Sequence, residues 1–331
     1  MVMPKSLIDT FSQLLLYYHL LFAPVRAKSR RSKNLARDGF EQSKAISTPT
    51  DAGSVVNGQS DYFVKVGIGS PKQEVYLVMD TGLGQGCENN KCTYRAENGD
   101  ETSSSGYLSI ERLTIRSASG RSTIAVNDIL FGCGQNNSDV LDTESGIMGL
   151  DRSPLSFVSQ TTRLFQNYFS YCLPTSTSTT GYLTFGKTDE IKNNTVFTSS
   201  GGVGIIDSGT AFTFLPSAAY TALRTAFRRQ MTNYKLSRTP ELDTCYNFTG
   251  VDSVRIPSVL IFFKGGIELP LQPDNIMTVV ASPSKVCLAF VSTDRSDSSI
   301  NFILGNIQQL GMEVVYDVSG EKIGFRPGAC N

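Results

Sequence analysis

Two short segments, far apart in a chain of 331 residues, repeat one design: Val78-Met79-Asp80-Thr81-Gly82 and Ile206-Asp207-Ser208-Gly209-Thr210. Each is an apolar, strand-forming run that ends in an aspartate and then breaks at a hydroxyl residue and a glycine. That pattern puts a carboxylate at a strand tip. Where two such tips meet, two carboxyl groups can share one proton, so that one acts as acid and the other as base at the same pH. The echo continues downstream, with Gly146-Ile147-Met148-Gly149-Leu150 after the first aspartate and Phe302-Ile303-Leu304-Gly305-Asn306 after the second. Each is a pair of bulky apolar residues followed by glycine. An internal repeat of this kind fixes the architecture, and here it predicts two similar lobes. As isolated tripeptides, D-T-G and D-S-G are ordinary turn formers, and average residue usage predicts roughly 0.1 to 0.2 of them in a chain this long. Two, each preceded by a strand and followed by an apolar-apolar-glycine, argue against coincidence.

The surrounding sequence is mostly β. Tyr62-Phe63-Val64-Lys65-Val66, Val75-Tyr76-Leu77-Val78 and Val259-Leu260-Ile261-Phe262-Phe263 read as strands between turn clusters. One helix stands out: Ser217 as N-cap, followed by Tyr220, Leu223 and Phe227 at intervals of three and four. The only histidine is His19, which removes serine-histidine and cysteine-histidine mechanisms and most zinc sites. Net charge is zero, but residues 1–50 carry eight Lys/Arg against three Asp/Glu and the rest of the chain is acidic. The body has no cluster of basic residues interleaved with aromatics, so no nucleic-acid partner is expected. The apolar stretch Leu14 to Ala23 is too short to span a bilayer and has the length of a signal-peptide core; a buried amphipathic prosegment helix is the other reading.

The repeated motifs resemble the pepsin-like aspartic proteases, within them the plant nepenthesin-like branch. Besides VMDTG, IIDSGT, GIMGL and FILGN, the resemblance rests on FGCG at Phe131 to Gly134, YCL at Tyr171 to Leu173, LDTCYNF at Leu242 to Phe248, and VVYDVSGEKIGF from Val314 to Phe325. It covers most of residues 59 to 331. It implies a mostly β, bilobal fold with two pseudo-symmetric lobes and a cleft between them. The implied organisation is a signal segment over 1–24, a prosegment over 25–58, an N-terminal lobe over 59–190 and a C-terminal lobe over 191–331.

The resemblance makes Asp80 and Asp207 the catalytic pair, which would draw a proton from water and give one to a peptide carbonyl without a covalent intermediate or a cofactor. Thr81, Gly82, Asn98, Gly99, Asp100, Ser208, Gly209 and Thr210 would line the substrate cleft, and Gly149 and Gly305 would sit where a second strand passes under each aspartate loop. The expected partners are a peptide or protein substrate and the chain's own prosegment, acting on a monomer with no membrane span. Cys172 would pair with Cys330 and Cys245 with Cys287; Cys87, Cys92 and Cys133 match positions whose partners this chain lacks, and a Cys87–Cys92 pair would leave Cys133 free. Widely spaced cysteines and three N-glycosylation sequons, at Asn136, Asn193 and Asn247, fit a secreted or vacuolar route. A plastid location is the alternative.

Three departures from the family pattern bear on activity. Leu83 stands where a serine usually follows D-T-G, and Asn98 stands where a flap tyrosine precedes Gly-Asp. A cysteine-rich insert is lacking after the first aspartate, and the strands that should precede the second are replaced by a Ser-Gly stretch, Ser199 to Gly204. A catalytically impaired homologue that binds peptides or proteins is therefore the alternative to an active endopeptidase.

Overall fold

The computed structural model describes residues 45–52, 61–80, 86–88, 93–97, 103–138, 145–176, 178–188, 195–199, 204–263, 267–280, 282–293 and 302–329. The first half contributes β1 (Ile46–Ala52), β2 (Tyr62–Ile68), β3 (Gln73–Asp80), β4 (Gly86–Glu88), β5 (Thr93–Glu97), β6 (Ser103–Arg116), β7 (Thr123–Ser138) and β8 (Gly146–Gly149). Two one-turn helices, α1 (Phe157–Gln160) and α2 (Thr162–Phe165), lead into β9 (Tyr168–Cys172) and β10 (Gly181–Phe185). The second half holds β11 (Val196–Ser199), β12 (Gly204–Ile206), β13 (Thr213–Pro216), α3 (Ser217–Gln230), β14 (Leu236–Ser237), β15 (Cys245–Asn247), β16 (Leu260–Phe263) and β17 (Ile267–Pro270). It is completed by α4 (Pro273–Ile276), β18 (Met277–Val280), β19 (Ser282–Leu288), β20 (Phe290–Thr293), β21 (Phe302–Leu304), a 3₁₀ turn (Asn306–Gln309), β22 (Met312–Asp317) and β23 (Lys322–Pro327).

The fold is mostly β, as the alternating runs predict. Thirteen strands form one sheet whose main path runs β11-β23-β22-β9-β10-β1-β2-β6-β5-β4. This path takes strands from both ends of the chain, so the sheet joins the two lobes. The second lobe adds the four-stranded sheets β12-β21-β13-β20 and β14-β15-β19-β18, and the two-stranded β16-β17. One contiguous apolar core links the lobes, with Met79, Tyr171, Phe185, Phe227, Leu304 and Val314 all within it. Burial of each such side chain stabilises by about 1.5–3 kcal/mol, which makes the lobe junction a packed interior.

The repeat seen in the sequence is a repeat of pairing. β3 runs parallel to β8, with Asp80 opposite Gly149. β12 runs parallel to β21, with Ile206 opposite Leu304, and the Asp207 amide donates to the Leu304 carbonyl at 3.0 Å. The flanks differ. β3 lies between β2 and β8, whereas among the described residues β12 has β21 as its single partner. Among the described residues, the hairpin that supports the first aspartate strand has no counterpart beside the second, in line with the short Ser-Gly lead-in to Asp207.

Residues 46–52, inside the 25–58 stretch expected as a prosegment, form β1 in the interior of the large sheet, with Ile46 to Thr50 opposite Phe185 to Gly181 and Thr50 to Ala52 opposite Val64 to Tyr62. Its inward residues, Ile46, Thr48 and Thr50, are buried. Two of the three are threonines and the strand contains Pro49, so it carries no apolar alternation for a sequence reading to detect. In α3, Tyr220, Leu223 and Phe227 are buried as their spacing predicts, but Pro216 occupies the cap position and Ser217 is the first helical residue. The Ser217 hydroxyl donates instead to the Thr293 carbonyl at 3.2 Å, tying the helix to β20. Among the described residues no helix is long and apolar enough to cross a membrane.

Candidate active site

Asp207 immediately follows β12 and is nearly buried, at 8 % exposure. Its carboxylate is held by its own loop: Oδ1 accepts from the Gly209 amide at 2.8 Å, and Oδ2 accepts from the Thr210 hydroxyl at 2.7 Å. Glycine at 209 brings a backbone donor close, and a hydroxyl at 210 supplies the second. The D-S-G-T order thus satisfies both oxygens locally, as an Asx-type turn does.

Ser208 turns the other way. Its hydroxyl is buried and donates to the Met79 carbonyl at 2.9 Å, across the lobe junction. Met79 immediately precedes Asp80, so the bond ties the residue after one aspartate to the residue before the other. Asp80 is the last residue of β3, and the backbone of its strand end is thereby held beside the Asp207 loop. The Asp80 side chain, Thr81 and Gly82 lie outside the described residues, as do Asn98, Gly99 and Asp100. β5 and β6 pair antiparallel from Glu97 opposite Ser103 onward.

The 3₁₀ turn clasps the Asp207 loop from beneath. The Asn306 amide donates to the Thr210 carbonyl at 2.7 Å, the Ile307 amide to Ala211 at 3.2 Å, and the Asn306 side chain to the Ser208 carbonyl at 3.1 Å. The turn fits so closely that a Cβ on Gly305 would fall 2.4 Å from the Phe212 carbonyl oxygen and 2.5 Å from that of Ala211. Only glycine is accommodated there. Around Gly149 the nearest described atom to such a Cβ is the Asp151 carboxylate, at 3.7 Å.

Several groups around the site carry no signal in the sequence. Asn306 follows the recognisable F-I-L-G run and could have been flagged by it. Gln309 has no such marker, and Tyr171, which opens the Y-C-L motif, is not marked for this contact, because the two lie 138 residues apart. Asp151 is a partly buried carboxyl whose pKa is raised by burial, against the hydrogen bond it accepts from the Ser153 hydroxyl at 2.9 Å.

Cys245 and Cys287 face each other on β15 and β19 and form a disulfide. Cys172 is also disulfide-bonded, while Cys330 lies outside the described residues. Cys133, on β7, carries an exposed free thiol, and the side chains of Cys87 and Cys92 lie outside the described residues.

Residues 82–187 match the family described as xylanase inhibitor N-terminal, and residues 186–327 the one described as xylanase inhibitor C-terminal. An aspartyl protease family protein of Arabidopsis thaliana is 32 % identical over 386 aligned positions, which cover 92 % of this chain and 79 % of the relative. The chain belongs to the plant pepsin-like aspartyl proteases. The 386 aligned positions exceed the chain's 331 residues, so this relative carries segments that this aspartyl protease chain lacks. Nepenthesin-2 of Nepenthes gracilis is 26 % identical over 95 % of this chain and 86 % of its own length. Among solved structures, the aspartic proteinase from Irpex lacteus superposes with a TM-score of 0.67 at 20 % identity, covering 87 % of this chain and 98 % of that one. Basic 7S globulin from soybean does so with a TM-score of 0.70 at 17 % identity, covering 85 % and 96 %. At these identities the superpositions establish the pepsin-like fold alone, and the fold is shared by a proteinase and a globulin.

Proposed function

We propose that this chain is an aspartic endopeptidase in which Asp80 and Asp207 share a proton and activate water against a peptide carbonyl. The carboxylate takes a proton from the water as its oxygen attacks, and the carboxylic acid gives its proton to the carbonyl oxygen. The tetrahedral diol then collapses, with a proton passing from the pair to the departing nitrogen. The observation that carries this reading is the Ser208 hydroxyl on the Met79 carbonyl, which ties the two aspartate-bearing segments together. The names of the relatives support it. Thr81, Gly82, Asn98, Gly99, Asp100, Ser208, Gly209 and Thr210 line the cleft in this reading, and a peptide or protein is the substrate. The Cys245–Cys287 disulfide supports passage through an oxidising, secretory compartment.

The test is cleavage of peptides at acidic pH. Activity should be blocked by a statine-type transition-state mimic and abolished by Asp80→Ala and by Asp207→Ala. Full activity in either variant would overturn the reading.

A second reading, an impaired homologue that retains a peptide or protein ligand, is favoured by Leu83 in place of a serine and by the short Ser-Gly lead-in to Asp207. A folded protein that binds the statine-type peptide yet cleaves nothing in a diverse peptide library would select it. Sequence-selective cleavage would dismiss it.

A further inference from the structure

Gln309 is fully buried, and the reaction just described makes no use of it. Its Nε2 donates to the Asp207 carbonyl at 3.0 Å and to the Leu304 carbonyl at 2.8 Å. Its Oε1 accepts from the Tyr171 hydroxyl. The donor pattern fixes the amide: two carbonyls on one side require the nitrogen there, so the oxygen must face the phenol, which must donate. Burial, and after it the neighbouring Tyr316 hydroxyl and the charge of Asp207, push the Tyr171 phenol well above its ordinary value, so it keeps its proton. The Tyr316 hydroxyl lies 3.3 Å from that of Tyr171.

The adjacent Gln308 provides a contrast. It is equally buried, but its amide donates to Asn275 at 2.8 Å and Ala289 at 3.2 Å, and its oxygen accepts from Thr213. Those bonds tie the turn to α4 and to strands of the second lobe. Only Gln309 addresses the peptide that carries Asp207.

We infer that Gln309, oriented by Tyr171, is a positioning residue that sets the plane of the 207–208 peptide and so the placement of the Asp207 carboxylate. The inference rests on the reading of Asp207 as catalytic. The carbonyl of Asp207 and the backbone of Ser208 belong to one planar unit, so a donor fixed on that carbonyl limits rotation of the whole unit. On one side of this unit is the carboxylate, and on the other is the hydroxyl that reaches Met79. A continuous chain therefore runs from Tyr171 on β9 through Gln309, Asp207 and Ser208 to Met79 on β3. Loss of the Gln309 donor frees the unit to rotate while the surrounding core stays packed.

Gln309→Met keeps the volume without the donor, and Tyr171→Phe keeps the ring without the hydroxyl. Assayed where each is folded, both should lower kcat on peptide substrate by about 10- to 100-fold with KM within about two-fold of the parent. Hydrogen–deuterium exchange of the peptide spanning residues 204–213 should rise in Gln309→Met relative to the rest of the protein. Should Gln309→Met fail to fold, Tyr171→Phe carries both comparisons. A kcat within two-fold of the parent in both variants overturns the inference, and so does parent-like exchange over 204–213. A parent that cleaves no peptide sinks the functional reading instead, and the exchange comparison alone then decides whether Gln309 holds this segment.

Discussion

The hydroxyl of Ser208 donates 2.9 Å to the carbonyl of Met79, and both residues are buried at the lobe junction. The same residue thus serves two loops: its backbone continues the Asp207 turn, and its side chain fixes that turn against β3. Ser208→Ala removes the bond at little cost in volume. We expect a loss of about 1–2 kcal/mol in unfolding free energy, read from the denaturant midpoint. Peptidase activity should fall by more than stability explains, because the two strand tips lose their direct tether. Parent-like activity in Ser208→Ala would show that packing alone aligns them.

Gly305 gives a sharper stability test. The Cβ of Gly305→Ala would lie 2.4 Å from a backbone oxygen that sits in the Asp207 loop's own continuation, so relief requires moving that loop or the 3₁₀ turn. The expected cost is about 3 kcal/mol or more, seen as a large fall in thermal midpoint or in soluble yield. Gly250→Ala is the comparison: φ is 73° there and the space is open, so only the left-handed backbone is penalised, by about 1–2 kcal/mol. Equal costs at the two positions would contradict the crossing at Gly305.

How far the sequence carried this structure depended on whether a signal was local. Asp80, Asp207 and Gly305 announce themselves because a strand tip, a turn and a close crossing each leave a mark within five residues; Gly149 carries the same mark in the sequence, but no close approach to it lies among the described residues. Tyr220, Leu223 and Phe227 likewise reveal α3 through their spacing. β1 was missed because its buried residues include Thr48 and Thr50, which pair with strands distant in the sequence. The contact between Gln309 and Tyr171 was missed because a buried amide and a phenol signal nothing of it until a fold aims them at each other. The short lead-in to Asp207 was legible, but its consequence, a β12 with one described partner, required the sheet order.

The polar cluster on Asp243 makes stability depend on pH. Burial would raise the Asp243 pKa, but hydrogen bonds from Thr244, Tyr220 and Arg224, together with the charge of Arg228, outweigh burial and hold it below its ordinary value of 3.8. Tyr220 and Arg224 lie on α3, at 2.6 Å each from the carboxylate, and Arg228 lies at 3.1 Å. A depressed folded pKa stabilises above the unfolded value, and the contribution disappears as pH falls through the folded one. Asp243→Asn should therefore cost stability at neutral pH and progressively less below pH 3.8. The side chain is 38 % exposed, so solvent screening limits the effect to about 1 kcal/mol. Thermal midpoints of both proteins across this pH range check the sign, and a gap that widens in acid would refute it.

The ion pair between Glu313 and Arg326 tests the junction from its other end. Glu313 is buried on β22; it accepts from the Ser170 hydroxyl at 2.7 Å and from Arg326 Nε at 2.8 Å. Arg326→Met leaves a buried carboxylate with the hydroxyls of Ser170 and Tyr182 beside it and, among the described residues, no paired cation. The expected loss is about 3–5 kcal/mol, because the charge loses its partner but not its desolvation. Glu313→Gln in the same background should recover part of that loss in denaturant unfolding. No recovery would mean that Arg326 acts chiefly through the packing of its stem.

β1 determines where a processed chain can begin. It fills the slot between β2 and β10 with five residue pairs on one side and three on the other, and Thr50 reaches the Cys172 carbonyl at 3.4 Å. Removal of residues 46–52 exposes the facing edges of β2 and β10 in the middle of the sheet that joins the lobes, and an open edge there recruits other chains. A protein beginning at Ala45 should remain soluble and unfold in one transition, whereas one beginning at Gln59 should aggregate or lose its cooperative transition. Were the chain made as a precursor, cleavage would have to fall before Ile46 or the cut strand be retained by its neighbours. Size-exclusion chromatography and thermal unfolding of the two proteins separate these outcomes. Parent-like behaviour of the Gln59 form would assign β1 to a removable segment.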